Sequence, residues 1–429
     1  MKDSELFEYA SDFVRKNCDA DDFTFHILSI DSLDTRFAQN AITQHITGKN
    51  FRINLQVAYG SQTGQATVNQ SGHESLKFML DTAQEMARLN QPDPEYVPSE
   101  PAHDLKDINN FSEETAGLEI GQLVDNIEKC VKNAKDKKAK VSGMSERHVV
   151  NSYLTTKNGF EGSDLSSEFS HSMTIKKDEV ETKVSRSLKN YRDFDIEDLI
   201  SRINSQFDSL HKPEPFPARK IPVIIRPGAL LREFIQFLLM MMDMRDADEG
   251  VSPFTGQLNK KFFGDKFTLS STLEDPDLIS ARFLTGGTPT ENMNWVNNGV
   301  LENMPVSRYY AREKNIKPMA PYNVFIPGGG QSEEEMMRMV DEGLIVNKFF
   351  YIRYVDQKRG ELTGMTRDGV LYFKDGRIRH SVNNLRFNEI PHEVTRRILA
   401  LGESVLQTST AKIPTMLVDD FNFVDATTF

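Results

Sequence analysis

A proline cluster near the middle of the chain, "HKPEPFPARKIP" at residues 211–222, most constrains how this sequence can fold. Proline lacks a backbone N–H and restricts the residue before it, so neither a long helix nor a central strand runs easily through such a segment. The chain has 429 residues, more than one typical hydrophobic core accommodates. The cluster therefore predicts an N-terminal domain over residues 1–211 and a C-terminal domain over residues 220–429.

The N-terminal half alternates between helix-like and strand-like patterns. Apolar residues recur at helical spacing in Ser4–Lys16 and again between residues 120 and 139. Ile53, Leu55 and Val57 alternate with polar residues, as in a half-buried strand. This order predicts helices packed on an antiparallel sheet, which is an α+β arrangement.

The C-terminal half is richer in strand signals. Strands are predicted at residues 266–272, 345–355, 370–373 and 377–382. "KDGR" at residues 374–377 contains the Asp-Gly pair that is typical of a tight hairpin. We therefore expect a β-rich second domain.

The glycine run in "PGGGQSEEE" at residues 327–335 resembles a phosphate-binding loop only superficially. No Lys-Ser or Lys-Thr pair follows it, and its three glutamates would repel an anion. Ser332 and Glu335 instead match an S-x-x-E capping box. The pattern predicts a helix over residues 333–341 that ends near Gly343.

Composition excludes several classes of function. A net charge of −12 disfavours direct nucleic-acid binding, which rewards a concentrated basic surface. Cys18 and Cys130 are too few and too far apart for a disulfide framework, so a reducing, cytoplasmic compartment is expected. The longest apolar run, "FLLMMM", is far shorter than the roughly 20 residues that cross a bilayer, so no membrane association is predicted.

The segment from residue 229 to 244, which begins "ALLREFIQF", is apolar nearly all round and predicts a buried helix. Arg232 and Glu233 interrupt it, and buried charges need partners or a cavity. Two interpretations remain open. In the first, the two charges form an ion pair with another segment or are exposed at the first helical turn. In the second, they line a site. A zinc site needs three or four N, S or O ligands, and this segment offers one carboxylate and no imidazole.

A second polar concentration lies in "FFYIRYVDQKRGELTGMTRDG" at residues 349–369. Its candidate peptide-groove residues are Tyr351, Arg353, Tyr354, Thr363, Thr366, Arg367 and Asp368. The residues contain no evident pair of nucleophile and base, so we favour a structural network in a hairpin over a catalytic role.

Several spaced motifs resemble the TldD/PmbA family, also called TldD/TldE, whose members carry the name modulator of DNA gyrase. They include "TRFAQNAITQ", "TAQEMARL" and "DEGVSPFTGQLNKKFFGDKFTLSSTLEDP". The most specific is "GLIVNKFFYIRYVDQKRGELTGMTRDGVLYFKDGRIRHSVNNLRFNE" at residues 343–389. The matches occur in one order and extend almost from end to end of the chain.

The resemblance implies a cytoplasmic, two-domain protein with an α+β N-terminal domain and a β-rich, barrel-like C-terminal domain. TldD-type members of the family are zinc metallopeptidases that use H-E-x-x-x-H together with a C-terminal cysteine, and they act on peptides. Their PmbA/TldE partners lack the metal motif and join them in a dimer.

Aligned with the family motif, "LLREFIQF" has Arg232 and Phe237 at the two histidine positions. Glu233 stands at the position of the general base, as a vestigial catalytic residue. An arginine would repel Zn²⁺, and no cysteine follows Cys130. No metal or other cofactor is therefore predicted for this chain, and zinc is expected only in a TldD-type partner. In a regular α-helix, two side chains five residues apart point about 140° away from each other around the helix axis. The family motif, whose histidines are five residues apart, therefore requires a locally adjusted helix.

The resemblance therefore predicts a pseudoenzyme, a PmbA/TldE-like subunit without metal in a proteolytic complex that acts on peptides. Its partner would be a TldD-type metallopeptidase. The alternative is a non-catalytic homodimer that binds a peptide or a protein. Residual hydrolysis, with Glu233 activating water without a metal, is the least favoured hypothesis, since bound metal supplies most of the lowering of the pKa of water. Whether the chain is itself an enzyme stays open at this point.

Overall fold

A computed structural model describes residues 3–426, without the side chains of Arg232 and Glu233. The elements of its first half, in chain order, are α1 (Asp3–Asn17), β1 (Asp22–Ala38), β2 (Ala41–Tyr59), β3 (Gln62–Val68), α2 (His73–Leu89), α3 (Glu113–Ala116), α4 (Ile120–Asp136), β4 (Lys140–Thr156), β5 (Glu161–Lys177), β6 (Val180–Leu188) and α5 (Ile196–Ser209).

Six strands of the first half form one sheet, in the order β3-β2-β1-β4-β5-β6, and every pairing is antiparallel. Helices α1 and α2 pack on β1 and β2, where alternate residues such as Phe25 and Leu55 are fully buried. Helices α4 and α5 pack on the opposite end of the same face, around Phe37 and Met173. The predicted α+β class is confirmed, with helices on an antiparallel sheet.

The second half contains many short elements. They are β7 (Lys220–Ile225), α6 (Pro227–Ala229), a π-helical segment (Leu230–Ile235), α7 (Gln236–Met241), α8 (Met244–Asp248), β8 (Leu269–Ser271), β9 (Met293–Asn297), β10 (Val300–Leu301), α9 (Arg308–Lys314), β11 (Val324–Phe325), α10 (Glu333–Arg338), β12 (Glu342–Asp356), β13 (Glu361–Lys374), β14 (Arg377–Val382), β15 (Leu385–Glu389), α11 (Pro391–Arg396), β16 (Ile398–Thr408) and β17 (Ala411–Ala426).

The strands of the second half form an eleven-stranded mixed sheet that contains a barrel. Along the sheet β17, β15, β13, β12 and β7 follow one another, and β7 also pairs with β17, which closes the ring. The interior is apolar, with Val223 and Ile225 of β7 fully buried beside Phe234 and Leu238 of the next segment. The expected β-rich, barrel-like architecture is therefore present.

Local signals in the sequence correspond closely to the observed turns and caps. Asp375 and Gly376 join β13 to β14 with φ values of 53° and 68°, the left-handed backbone that an Asp-Gly hairpin requires. Ser332 and Glu335 form both bonds of the predicted capping box. The helix that they begin ends at Arg338 rather than at residue 341, because the chain must extend to pair Glu342 of β12 with β13.

Polar contacts attach the two halves to each other. The Lys189 ammonium donates to the carbonyl oxygens of Asn109 and Pro276, at 2.8 and 2.6 Å. The Arg186 guanidinium donates to the Leu406 carbonyl oxygen at 3.0 Å. Within residues 3–426, no helix has both the length and the apolar character needed to span a membrane.

The packing of α2 on β3 depends on a glycine, which gives a test of the N-terminal sheet. A Cβ at Gly64 would lie 2.1 Å from the Ala83 carbonyl oxygen and 2.4 Å from the Ala87 nitrogen, so Gly64→Ala must push the helix away. We expect a loss of about 2 kcal/mol of stability, typical of overpacking. The measurement is the midpoint of urea denaturation followed by circular dichroism.

Gly48→Ala in the adjacent strand is the matched control, since no atom lies within 4 Å of a Cβ at that position. We expect its free energy of unfolding to stay within about 0.5 kcal/mol of that of the unchanged protein. Equal effects of the two substitutions would contradict the described contact between α2 and β3.

Candidate functional site

The segment that carries the family motif begins where β7 leaves the barrel. Arg226 follows the strand, and Pro227 occupies the first helical position, where its missing N–H costs nothing and its fixed φ suits the helix. The backbone from Leu230 to Ile235 is π-helical, and α7 continues from Gln236. The single long helix expected over residues 229–244 is thus interrupted near its start and ends at Met241.

The π-helical segment has a direct geometric consequence for the motif. Its hydrogen bonds join residues five apart, so it winds more loosely than an α-helix and brings such residues nearer to one face. Positions 232 and 237 are five apart, and the local adjustment that this spacing requires is present in the backbone. The side chains of Arg232 and Glu233 lie outside the described residues. Short π segments inside α-helices are frequent at functional sites.

The residue at the second histidine position makes an aromatic contact. The ring of Phe237 meets that of Tyr354 edge-on, with 5.2 Å between the ring centroids. A phenyl ring has no atom that can donate electrons to zinc as an imidazole does. The two cysteines, Cys18 and Cys130, are buried in the N-terminal half. The donor set expected of a TldD-type zinc site therefore does not fit the residues present here.

A large cavity lies beside this segment and has a volume of about 1080 Å³. Its walls include the motif segment, β6 and α5 of the first half, and the β16–β17 hairpin. The lining residues of the motif segment are Pro227, Gly228, Leu231, Ile235, Gln236 and Leu239. A cleft of this size, between two halves of a chain, with apolar walls and a few polar groups, is typical of a ligand site.

A largely buried ion pair forms one wall of the cavity. The Arg226 guanidinium donates from Nε and Nη2 to both carboxylate oxygens of Glu333, at 2.7 and 2.6 Å. Burial alone would lower the pKa of Arg226, but the Glu333 carboxylate raises the pKa above its ordinary value. The Arg226 guanidinium therefore stays charged, and the bidentate geometry of the pair fixes the N-terminal end of α10 against the start of the motif segment.

An irregularity in the barrel brings a third side chain to this pair. The register between β12 and β13 shifts between Val346 and Lys348, so Asn347 is not part of the regular ladder. The Asn347 side chain accepts a hydrogen bond from Arg226 Nη1 at 2.6 Å and donates to the Asp368 carbonyl oxygen at 3.1 Å. Such bulges re-aim side chains and are common next to active sites.

Asp368 is the predicted groove residue that lines the cavity. Its φ is 60°, a conformation that Asp tolerates better than most residues. Its carboxylate lies 3.5 Å from the Lys348 ammonium and 3.8 Å from the Arg367 guanidinium.

The other predicted groove residues lie elsewhere on the hairpin. Arg353 stacks over the exposed ring of Tyr351, with 4.0 Å between its guanidinium carbon and the ring centroid, and Arg367 covers Phe350 in the same way at 4.5 Å. Arg367 lies beside Asp368, but Tyr351, Arg353 and Arg367 are not part of the described cavity lining.

Two threonines of the same prediction have structural bonds. The Thr363 hydroxyl donates to the Phe387 carbonyl oxygen at 3.1 Å, which links β13 to β15. The buried Thr366 hydroxyl accepts from the Leu385 backbone N–H at 2.9 Å. These contacts are of the kind expected for a structural network.

One cluster of three side chains with metal-binding chemistry occurs in the described part of the chain, and it lies far from the motif in sequence. Asp34 on β1 and Glu146 and His148 on β4 have ligand atoms within 4.8 Å of one another. His148 Nε2 lies 2.8 Å from Asp34 Oδ1, so the cluster is satisfied internally as an ion pair or hydrogen bond.

Sequence reasoning missed the Arg226–Glu333–Asn347 network. One signal was available, since a charged residue directly after the buried run "PVII" must find a partner close to the core. The identity of that partner could not be read from the sequence, because Glu333 is more than a hundred residues away and Asn347 depends on a shift of register.

Comparison with known proteins identifies the architecture. Residues 218–425 match the family profile described as the PmbA/TldA metallopeptidase C-terminal domain. No curated protein is significantly similar to the chain in sequence. Three solved structures share the fold: TldE from Thermococcus kodakarensis, and two proteins named as candidate modulators of DNA gyrase, from Thermotoga maritima and Bacteroides thetaiotaomicron.

The likeness to these structures extends over whole chains. TM-scores are 0.86 for the Thermococcus protein and 0.85 for each of the others, and sequence identities are 16%, 17% and 15%. Each comparison covers 98% of this chain and 98% to 100% of the other chain. At this level of identity the likeness shows the shared fold.

The ion pair gives a test of how the cavity wall is held. Glu333→Gln leaves the Arg226 charge without its counterion in a largely buried place, and we expect a loss of about 2 to 3 kcal/mol of stability. Glu249→Gln is the control, because that carboxylate pairs with Arg245 at the exposed surface, and its loss should cost less than about 0.5 kcal/mol. Urea denaturation of both variants makes the comparison, and equal midpoints would contradict the assigned role of Glu333.

Proposed function

Because the chain belongs to the TldD/PmbA family, we propose that it is a PmbA/TldE-like subunit without metal, which pairs with a TldD-type metallopeptidase. In this proposal the chain encloses or presents a peptide, and zinc in the partner supplies the hydrolytic chemistry. The proposed location is the cytoplasm, in keeping with two cysteines that are both free. We also propose that the proline cluster at residues 211–222 separates two domains.

The composition of the motif segment carries the proposal. Phe237 stands at one metal-ligand position and is engaged with Tyr354, while the sequence places Arg232 at the other. No cysteine occurs after Cys130 to provide a thiolate. The chain thus keeps the scaffold of a metallopeptidase and lacks its ligands, as expected of a partner that depends on another subunit for catalysis.

The cavity beside the segment supports a role in holding a peptide. Leu231, Ile235 and Leu239 offer apolar contacts to side chains, and the amides of Gln236 and Gln407 can donate to and accept from a peptide backbone. Sites of this kind combine an apolar lining with a small number of polar groups that set orientation.

Purification together with a TldD-type subunit tests the pairing. We expect a stable complex by light scattering, with zinc found in the partner and peptide hydrolysis higher than for either subunit alone. We expect no stoichiometric zinc in this chain purified by itself, measured by elemental analysis. A single species that never joins the partner and never raises its peptidase activity would count against the proposal.

Glu233→Gln separates a subunit role from residual catalysis by this chain. The substitution keeps the size of the side chain and removes its basicity. If the partner's zinc supplies the chemistry, peptide hydrolysis by the complex should change by less than about twofold, which corresponds to roughly 0.4 kcal/mol. A loss of hydrolysis with an intact complex would instead assign a catalytic role to Glu233.

A second candidate function is a non-catalytic homodimer that binds a peptide or a protein. The outer edge of β2 favours it, because β3 pairs only with Ile53–Tyr59 and residues 41–50 are all exposed. Among the described residues no other strand covers this edge. An exposed edge presents unpaired N–H and C=O groups, which readily accept another strand. Ile42 and Ile46 are 43% and 50% exposed on one face of it, so an antiparallel pairing centred on Gln44 would place them opposite each other.

A disulfide test distinguishes this arrangement. In a pair centred on Gln44, the two copies of that residue lie about 4.5 to 5.5 Å apart at Cα, within the range of a disulfide. We expect Gln44→Cys to form a covalent dimer on mild oxidation, as seen in non-reducing gels. Gln56 lies on the same strand at a position where β3 covers the edge. The Gln56→Cys variant should therefore stay monomeric under the same treatment. No crosslink at residue 44, in a chain that is monomeric by light scattering, would exclude this homodimer.

A further inference from the structure

A second pocket, of about 390 Å³, adjoins the large cavity at Tyr322, which lines both spaces. Three separate parts of the chain form the pocket: residues 100–104 of the connector that follows α2, residues 284–295, and residues 317–322. A space of this volume is within the range of small-molecule sites.

The inner walls of the pocket are apolar and held firmly. Leu284, Met293 and Met319 contribute to them together with buried Trp295, whose indole N–H donates to the Ser271 hydroxyl at 3.0 Å. Backbone bonds in both directions join Met319 to Val306, at 2.8 and 3.2 Å. The walls are therefore in place before any ligand arrives, which reduces the entropy that binding must overcome.

The rim of the pocket carries three carboxylates, those of Glu100, Asp104 and Glu291, together with the Lys317 ammonium and the His103 ring. The Glu100 carboxylate is already engaged, accepting from Arg308 Nε at 2.8 Å and from the Thr288 hydroxyl at 3.0 Å. Glu291 pairs with Lys317, whose side chain is 78% exposed, so this surface contact is weak and easily exchanged. Asp104 is exposed and pairs with no cation of the described chain.

Tyr322 fixes the backbone at the edge of the pocket. Its hydroxyl donates to the Glu291 carbonyl oxygen at 3.0 Å. Burial, and secondly the Glu274 carboxylate, raises the pKa of Tyr322 well above its ordinary value, so the hydroxyl stays protonated. The bond holds the backbone of Glu291 at the mouth of the pocket.

We propose that this pocket is a binding site for a small amphipathic cation. Its apolar body would contact Met293 and Met319, and its ammonium or guanidinium group would meet Asp104 and Glu291 at the rim. Opposite charge at the entrance and a preformed apolar interior select this class over neutral or anionic molecules of the same shape. The proposal does not rest on the role of the chain in a peptidase complex.

Three probes of nearly equal shape test the proposal: phenethylamine, phenethyl alcohol and phenylacetate carry a positive charge, no charge and a negative charge. Trp295 is the single tryptophan of the chain and reports from the pocket wall by its fluorescence, with calorimetry as a second readout. We expect the amine to bind most tightly and phenylacetate most weakly. Asp104→Asn should weaken the amine about two- to fivefold and leave the alcohol unchanged.

Two further variants make the test specific. Asp107→Asn removes an exposed carboxylate three residues along the same connector, outside the pocket lining, and should not alter binding of the amine. Ala320→Phe fills the pocket and should abolish binding of all three probes. Equal affinities for the three probes would overturn the proposal. So would the absence of any binding, or binding that survives Ala320→Phe.

Discussion

The pairing of β7 on both sides is the constraint on which the second half of the chain depends. Val223 pairs in parallel with Leu344 of β12 and antiparallel with Val418 of β17, and these two ladders close the barrel. Val223, Ile224 and Ile225 are all fully buried, since one face of the strand points into the barrel and the other packs beneath α10. A strand that is buried on both faces has a continuous run of apolar residues in its sequence, rather than an alternation of apolar and polar residues.

The end of this strand sets the position of the candidate site. Because β7 is held from both sides, Arg226 must leave the barrel at its rim, at the edge of the cavity. A guanidinium in that place needs a counterion, and Glu333 provides it with two charge-assisted bonds. The shift of register at Asn347 then links this pair to the backbone of Asp368. The wall of the cavity is therefore a consequence of barrel closure.

The same geometry explains how the motif segment can lack metal ligands and keep its shape. Phe234 and Leu238 are anchored in the barrel core, and Phe237 adds an aromatic contact with Tyr354. Apolar packing thus holds the segment, without a metal to organise it. The π-helical backbone at residues 230–235 lies within this packed segment, next to the large cavity.

The sequence was most informative where a signal is local. The Asp-Gly hairpin, the Ser332–Glu335 capping box and the helical period of α1 each depend on residues within a few positions of one another, and all are present. The positions of the candidate groove residues, in contrast, depend on strand pairing. They share one hairpin in sequence, but strand pairing sends Thr366 into the core and places Asp368 at the cavity.

The sequence by itself determined the α+β class and the lack of imidazole and thiolate donors in the motif segment. These follow from residue chemistry and from periodicity along the chain. Only the tertiary structure decided that β7 closes a barrel, that Glu333 neutralises Arg226 and that a turn of π-helix carries the motif. The reason is physical: each of these features depends on pairing between distant segments, where register and burial select one partner among many that the sequence would allow.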